Sequence, residues 1–354
     1  MKNSFYYLVL MLLAFSIKPV ISVGEINVTN EPTLPSNAKV EKIKNSTAVY
    51  NKIVFSREEN GNDWDIWTMD IDGNNQTRIY NSTSNDAEPH FRYDGAKIVF
   101  SKFTQGQPPT QDIYVIDPDG SNLTNLTSDV SNDASRPKWS YNGTKIVYCI
   151  TAGPENKDIY VMNADGTNKT ALITGSTNDD WPSFSPDGNY IVFQRYVGAM
   201  SNNKTKICKY KISDGTITEL TDGSNLDEMP VFSPDGNYIL FKRGAPTPDL
   251  YRLRLDNMTL ENLTNTSSAT DKDPAYSFDG TKITWVQMSS GMNTAEIWIM
   301  NSNGSNKIQL TNNSVGDFNP SFSPFTPANG PEINIKGNNT DIANGDTTPS
   351  TSDD

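Results

Sequence analysis

The sequence is poor in the residues that build metal centres and catalytic dyads. Its 354 residues include one histidine, His90, and two cysteines, Cys149 and Cys208. One histidine excludes a histidine-rich metal site and leaves a single candidate base for a serine–histidine–aspartate arrangement. Two cysteines exclude a four-cysteine zinc site and a small fold held together by several disulfides.

Positive charge is also scarce. The chain has 29 Lys and Arg residues against 42 Asp and Glu residues, which gives a formal net charge of −13. Such a chain is not expected to bind nucleic acid, and anionic lipid is an unfavourable partner for the same reason.

The N-terminus has the organisation of a secretory signal peptide. A positive start at Lys2 is followed by an apolar stretch over residues 5–17 and by small residues near Ser22. The stretch is shorter than the roughly 20 residues of a membrane-spanning helix, although an uncleaved anchor is the alternative. We therefore expect residues 1–22 to be a signal peptide and the protein to be secreted, at the cell surface, or in a periplasm-type space. No membrane span is expected after cleavage.

Glycosylation signals agree with export. The motif Asn-x-Ser/Thr occurs 15 times, about twice as often as the composition would give by chance. This excess predicts a glycoprotein, without assigning any one site.

An internal repeat extends through most of the chain. A short apolar run begins at six isoleucines spaced 45, 48, 45, 48 and 44 residues apart, which are Ile53, Ile98, Ile146, Ile191, Ile239 and Ile283. Each run is followed by a second one, of the type Asp158-Ile159-Tyr160. The third element is a proline with an aromatic residue two positions later, at Pro89, Pro137, Pro182, Pro230, Pro274 and Pro320.

These elements predict β-strands joined by tight hairpins. Runs of β-branched and aromatic residues are typical strands, and consecutive apolar residues indicate that both faces are buried. Asp-Gly and Asn-Gly pairs, such as Asp187-Gly188, supply the positive backbone angles of hairpin turns. Each repeat is therefore interpreted as a four-stranded antiparallel meander.

Six such sheets can bury both of their faces only by packing side by side around a central channel. The sequence therefore predicts an all-β fold, a six-bladed β-propeller over residues 49–325. The last proline-aromatic strand, at residues 320–324, has no following strands and is expected to join the first three strands and close the ring. Residues 23–48 are interpreted as a polar linker and residues 326–354 as a disordered tail.

The repeat resembles a known family. Pro182-Ser-Phe-Ser-Pro-Asp-Gly, followed by Ile191-Val-Phe, and Asp158-Ile-Tyr-Val-Met-Asn-x-Asp-Gly are similar to the WD-like repeat of the TolB β-propeller family. The resemblance covers residues 51–325 and implies a six-bladed propeller. It says more about fold than about function.

An aspartate precedes each repeat proline. Five lie three residues upstream and Asp133 lies four upstream; the set is Asp86, Asp133, Asp179, Asp227, Asp271 and Asp317. Since the proline strand is expected to be innermost, these carboxylates could form a ring at one channel mouth and bind Ca²⁺ or a cationic group. The alternative is that each one hydrogen-bonds its own loop.

Two further sets of residues are candidates for chemistry. His90, next to Pro89, could act as an acid–base group with Asp86 or Glu88, or be an incidental channel residue. Cys149 and Cys208 fall in neighbouring repeats, so they are either a disulfide or two buried free thiols.

No Gly-x-Ser-x-Gly, phosphate-binding loop or His-Glu-x-x-His motif is present. We therefore expect a monomeric, non-enzymatic scaffold that binds a protein or glycan at the cell surface and needs no cofactor other than the candidate Ca²⁺. The alternative is a hydrolase of extracellular carbohydrate or peptide that uses channel carboxylates.

Overall fold

The computed structural model describes residues 51–59, 63–104, 110–153, 156–198, 204–289 and 294–325, together with the backbone of 335–337 and 340–342. The last two segments are short strands, Ile335–Gly337 and Thr340–Ile342, which pair antiparallel with each other. The predicted signal peptide 1–22, the linker 23–48 and the rest of the tail 326–354 lie outside the described residues and stay predictions.

The described part of the propeller consists of six four-stranded antiparallel sheets, here called blades 1 to 6. Blade 1 is built from β24 (Asp317–Phe322), β1 (Lys52–Glu58), β2 (Trp64–Asp70) and β3 (Thr77–Tyr80). Blade 2 is built from β4 (Asn85–Phe91), β5 (Ile98–Thr104), β6 (Thr110–Ile116) and β7 (Thr124–Asn125). Blade 3 is built from β8 (Ala134–Trp139), β9 (Lys145–Gly153), β10 (Asn156–Asn163) and β11 (Thr170–Ile173).

The other three blades repeat the same order. Blade 4 contains β12 (Asp179–Phe184), β13 (Tyr190–Tyr196), β14 (Thr205–Lys211) and β15 (Ile217–Glu219). Blade 5 contains β16 (Asp227–Phe232), β17 (Tyr238–Arg243), β18 (Asp249–Arg254) and β19 (Leu260–Asn262). Blade 6 contains β20 (Thr270–Tyr276), β21 (Lys282–Met288), β22 (Ala295–Asn301) and β23 (Ile308–Gln309). The first strand named in each blade is innermost, and consecutive innermost strands contact one another around the ring.

The core lies between neighbouring blades. The apolar runs that begin at the repeat isoleucines form the second strand of each blade, and Ile191, Val192 and Phe193 are all fully buried. Because successive side chains of a strand point to opposite faces, each run packs against both adjacent blades. Two-sided burial of these strands, predicted from their consecutive apolar residues, is confirmed.

The Asp-Gly pairs make the hairpins that end the innermost strands. In blade 4, Asp187 accepts hydrogen bonds from the Ser185 hydroxyl (2.6 Å) and the Asn189 backbone N–H (3.0 Å). Gly188 has a φ of +72°, which costs glycine little because it lacks a Cβ atom. The turn is therefore determined by its local sequence.

The two ends of the propeller meet in blade 1. Strand β24 pairs antiparallel with β1, with Ile53 opposite Phe322. Arg57 of β1 binds Asp317 of β24 through two hydrogen bonds of 2.6 and 2.9 Å. The predicted closure, in which the last strand completes the first blade, is confirmed. Within the described residues, no helix is long and apolar enough to cross a membrane.

Replacing Phe322 with alanine should test how much this closure contributes to stability. Phe322 is 1 % exposed and belongs to a cluster with Ile53 and Phe55. We expect the free energy of unfolding in urea to fall by about 3–5 kcal/mol, as for other buried aromatic side chains. Ile308→Ala, at a site 57 % exposed on an outer strand, should cost less than about 0.5 kcal/mol. Equal effects of the two substitutions would contradict a packed closure.

Candidate functional site

Each innermost strand contains a β-bulge at its repeat proline. In blade 2, Ala87 pairs with Ser101 and His90 pairs with Val99, so two residues, Glu88 and Pro89, lie opposite one. Proline has no N–H to give to the ladder and is commonly found at such positions. The same register shift occurs at the equivalent point of all six blades.

The residue before each proline adopts a left-handed backbone conformation. All six have φ between 52° and 59°, although none is glycine; they are Glu88, Arg136, Trp181, Met229, Asp273 and Asn319, here called the pre-proline residues. Positive φ is uncommon for residues with a Cβ atom, and such strain is concentrated at functional sites. A bulge also redirects the side chain it carries.

The bulges direct the pre-proline side chains to the wall of the central channel. The channel encloses about 950 Å³ between atoms, its opening to solvent included, and all six pre-proline residues line it. The residues just after the prolines also line it; these post-proline residues are His90, Lys138, Ser183, Val231, Ala275 and Ser321. The wall therefore has two levels of side chains with different chemistry on each blade.

Polar contacts across blades hold the pre-proline level. Glu88 accepts hydrogen bonds from the Ser101 hydroxyl and from the backbone N–H of Arg136 in the next blade, both at 2.8 Å. The Arg136 guanidinium lies 3.1 Å from Asp180 and 4.6 Å from the ring centre of Trp181. Burial disfavours its charge, but Asp180 and Glu88 outweigh this effect, so the pKa of Arg136 lies above its ordinary value.

Lys138 differs from Glu88 and Arg136 because its charge is not paired within the described part of the channel. It lines the channel one level away from Arg136, but its ammonium group forms no hydrogen bond or ion pair with any residue that the structure describes. Burial lowers the pKa of Lys138 to about 8, and the carboxylates of Asp273 and Glu88 oppose that shift. Near neutral pH the channel therefore contains a protonated amine whose charge is not neutralised by direct contact.

Three aromatic rings close one end of the channel. Phe278 lies 4.8 Å from Tyr93 and 6.5 Å from Tyr141, measured between ring centres. Since these residues belong to blades 6, 2 and 3, the contact between Phe278 and Tyr141 joins opposite sides of the ring. The rings lie just after the innermost strands and narrow that end of the channel; the opposite end, where these strands begin, is here called the entry mouth.

Five of the six predicted aspartates bind side chains within their own sheets. Asp227, fully buried, binds Arg243 through hydrogen bonds of 2.6 and 2.7 Å, and Asp179 binds Arg195 in the same way. Asp317 binds Arg57, and Asp86 pairs with Lys102 at 3.2 Å. Asp271 accepts hydrogen bonds from Trp285 and Gln287. These partners all lie on the second strand of the same blade.

Asp133 differs from the other five. Ala134, not Asp133, occupies the equivalent register position and pairs with Ile150. In the other five blades the residue at the position of Ile150 is basic or an amide. Asp133 instead accepts a hydrogen bond from the backbone N–H of Gln111 in blade 2 at 2.9 Å. The extra residue between Asp133 and Pro137 accounts for this displacement.

The channel wall described here contains none of the six aspartates. Nor do any three histidine, cysteine, aspartate or glutamate side chains of the described residues lie close enough together to hold a metal ion. Binding of Ca²⁺ or another ligand at these aspartates stays a prediction, and the geometry adds no support for a hydrolase that would use them.

His90 and the cysteines lie in closed surroundings. Burial, with a smaller contribution from Lys138, lowers the pKa of His90 to about 3, so its ring is neutral near pH 7. Its Nδ1 atom accepts the Trp139 backbone N–H at 3.4 Å. Cys149 and Cys208 are buried in one apolar cluster as free thiols, with no bond between them. Burial raises the pKa of both, which makes them weak nucleophiles.

The pre-proline residues were not singled out from the sequence, although a signal was present. They differ in type in every repeat, immediately beside a proline that never changes. A variable residue at a fixed structural position is typical of a binding surface on a rigid frame. The basic residues Arg57, Lys102, Arg195 and Arg243, each four positions after a repeat isoleucine, also indicated partners for the aspartates.

Replacing Asp227 with alanine should destabilise the fold by about 2–4 kcal/mol, because Arg243 would keep its charge in a mostly buried place. Asp256→Ala removes an exposed partner of Arg254 and should cost less than about 0.5 kcal/mol. Urea unfolding measures both values. The double variant Asp227→Leu, Arg243→Met should recover part of the loss, and no recovery would contradict the pairing argument.

Replacing Lys138 with methionine should stabilise the protein near pH 7, by about 1–3 kcal/mol, because a poorly hydrated charge is removed. In the folded state the pKa is about 8 and its ordinary value is 10.5. The unfolded chain therefore binds more protons between these values, and wild-type stability rises there with pH relative to the variant. Urea unfolding should show that the difference in free energy of unfolding between wild type and variant is smaller at about pH 10 than at about pH 7. A variant that is less stable at neutral pH would contradict this account.

Comparison with known proteins agrees with this architecture. Residues 45–201 match the family model of the TolB beta propeller domain. No match to a curated protein was found.

Among solved structures, the fold is similar to TolB from Acinetobacter baumannii, with a TM-score of 0.63 and 18 % identity over 77 % of this chain and 67 % of that one. A putative TolB from Agrobacterium tumefaciens gives a TM-score of 0.61 and 18 % identity over 77 % and 93 % of the two chains. Hydrazine synthase from Kuenenia stuttgartiensis gives a TM-score of 0.63 and 14 % identity over 78 % of this chain and 48 % of that one. The family match over residues 45–201 and the closed ring of six blades together support a TolB-like six-bladed β-propeller.

Proposed function

We propose that this protein is an exported scaffold that binds a protein partner at the entry mouth of its channel. One observation carries the proposal: six strained bulges hold six chemically different side chains on one wall. A strained conformation repeated six times needs a reason beyond strand pairing, because an unbulged ladder would avoid its cost.

The pre-proline residues offer the chemistry of a protein-binding surface. Trp181, Arg136 and Met229 are of the types enriched in protein interfaces, and Glu88, Asp273 and Asn319 add polar selectivity. Their frame is rigid, since Glu88 and Arg136 are already fixed by contacts between blades. A partner therefore meets a surface with little flexibility to lose on binding.

The expected location supports contact with a partner outside the cytoplasm. A signal peptide at 1–22 and 15 glycosylation motifs both favour export. The motifs differ in accessibility. Asn81 and Asn303 are exposed, whereas the Asn262 amide donates hydrogen bonds to Asp249 and Tyr251. Exposed motifs are therefore the better candidates for a glycan.

Substitution of the wall tests partner binding directly. Wild type, Trp181→Ala, Met229→Glu and the control Arg254→Met would be immobilised and exposed to a cell-surface extract, with and without calcium. Arg254 is exposed, pairs with Asp256 and is not among the residues that line the channel. We expect wild type and control to retain the same protein, and both channel variants to bind the isolated partner at least about tenfold more weakly.

Two results would count against the proposal. Channel variants that fold normally and keep full affinity would place the contact elsewhere on the surface. A glycan retained in place of a protein would preserve the scaffold but change the partner class. Dependence on calcium would bear separately on the predicted site at the six aspartates.

A further inference from the structure

We propose that the inner channel binds a small carboxylate with a compact apolar body, whose carboxylate group pairs with the ammonium group of Lys138. This site lies at the post-proline level of the wall and does not depend on the protein partner proposed above. The inference rests on the contacts of Lys138 and on how polar and apolar groups are distributed around it.

The ammonium group of Lys138 carries a charge without a direct partner in the described structure. The other channel cation, Arg136, is neutralised by Asp180 and lies against Trp181. Lys138 has no such contact among the described residues, although it lines the same cavity. A half-buried ammonium without a direct partner is unfavourable. An anionic ligand would supply the negative charge that the described residues do not place in contact with it.

The other polar groups at the post-proline level suit an anion. The Ser183 hydroxyl forms no hydrogen bond with the described residues. The Ser321 hydroxyl accepts one from the Phe91 backbone N–H, which leaves its hydrogen available. His90 is neutral near pH 7. The post-proline level therefore offers one cation and two hydroxyl donors, and none of its six side chains is acidic.

The apolar residues of the wall indicate the class of ligand. Val231 and Ala275 of blades 5 and 6 are apolar, and Trp181 and Met229 continue this surface at the neighbouring level. A carboxylate carrying a phenyl or similar group would place its charge at Lys138 and its ring against these residues. A multiply charged anion such as phosphate is disfavoured, because Glu88 and Asp273 lie nearby and would repel it. Lys138 alone could balance only one negative charge.

The pH dependence follows from the groups that surround Lys138. These are Glu88 of blade 2, Asp273 of blade 6, Arg136 of its own strand and neutral His90. With a pKa of about 8, Lys138 is largely charged at pH 7 and loses its charge above pH 8. Binding of a carboxylate should therefore weaken as the pH rises beyond that value.

Calorimetric titration of the purified full chain with benzoate tests the site. We expect binding to wild type, a loss of about tenfold or more in Lys138→Met, and partial retention in Lys138→Arg. Lys307→Met, which changes an exposed lysine on an outer turn, should bind as wild type does. Benzyl alcohol, which has the ring but no charge, should bind at least about tenfold more weakly than benzoate.

A second probe distinguishes the source of the carboxylate. Acetyl-Gly-Gly-Phe with a free C-terminus carries the same chemistry at the end of a chain, and its amidated form does not. Tighter binding of benzoate would identify a free small acid, whereas tighter binding of the peptide would identify a chain end; either supports a carboxylate site. Undetectable binding of both probes, or binding unchanged in Lys138→Met and above pH 8, would overturn the proposal.

Discussion

The missing N–H group of proline is the constraint on which the channel depends. At the same point of six innermost strands, a proline cannot continue the ladder, and the strand forms a bulge there. The residue before it takes a left-handed conformation and places its side chain on the channel wall. A local property of one residue type, repeated six times, thus creates a wall whose chemistry can change without changing the fold.

Side-chain hydrogen bonds around the bulges offset the strain of the left-handed pre-proline residues. Before the bulge, in five of the six blades, an aspartate of the innermost strand binds a side chain of the second strand, as Asp227 binds Arg243. At four of the six bulges, the N–H of the pre-proline residue donates a hydrogen bond to a nearby side chain, as that of Met229 does to Gln194 at 3.0 Å. The aspartates therefore matter for the site as its supports, whether or not they also bind a ligand. The closure of blade 1 follows the same plan, with Arg57 and Asp317 taken from distant parts of the chain.

The fold could be predicted from the sequence because its signals are local. Buried runs such as Ile191-Val192-Phe193 and the turn at Gly188 depend on neighbouring residues, and their spacing determines the number of blades. The closure could be predicted because the segment ending in Phe322 is a proline strand that lacks the strands following it in the other repeats.

The site could be predicted only in part, because it depends on register and on contacts between strands. Counting back from the proline selected Asp133, but pairing with Ile150 places Ala134 at that position. The usual preference of a residue before proline is for extended backbone, so the left-handed Glu88 was not expected. The Lys138 ammonium has no partner among the described residues, and this depends on the surrounding blades, so it cannot be deduced from the repeat that contains Lys138.

The most direct test of this account is the bromine anomalous signal from crystals grown with 4-bromobenzoate. The account predicts one strong bromine peak inside the channel, beside Trp181, Met229 and Val231, with the carboxylate directed at Lys138. It also predicts positive φ at all six pre-proline residues in the same crystals. An empty channel, with bromine only at surface lysines, would contradict the claim that the six bulges build a ligand site.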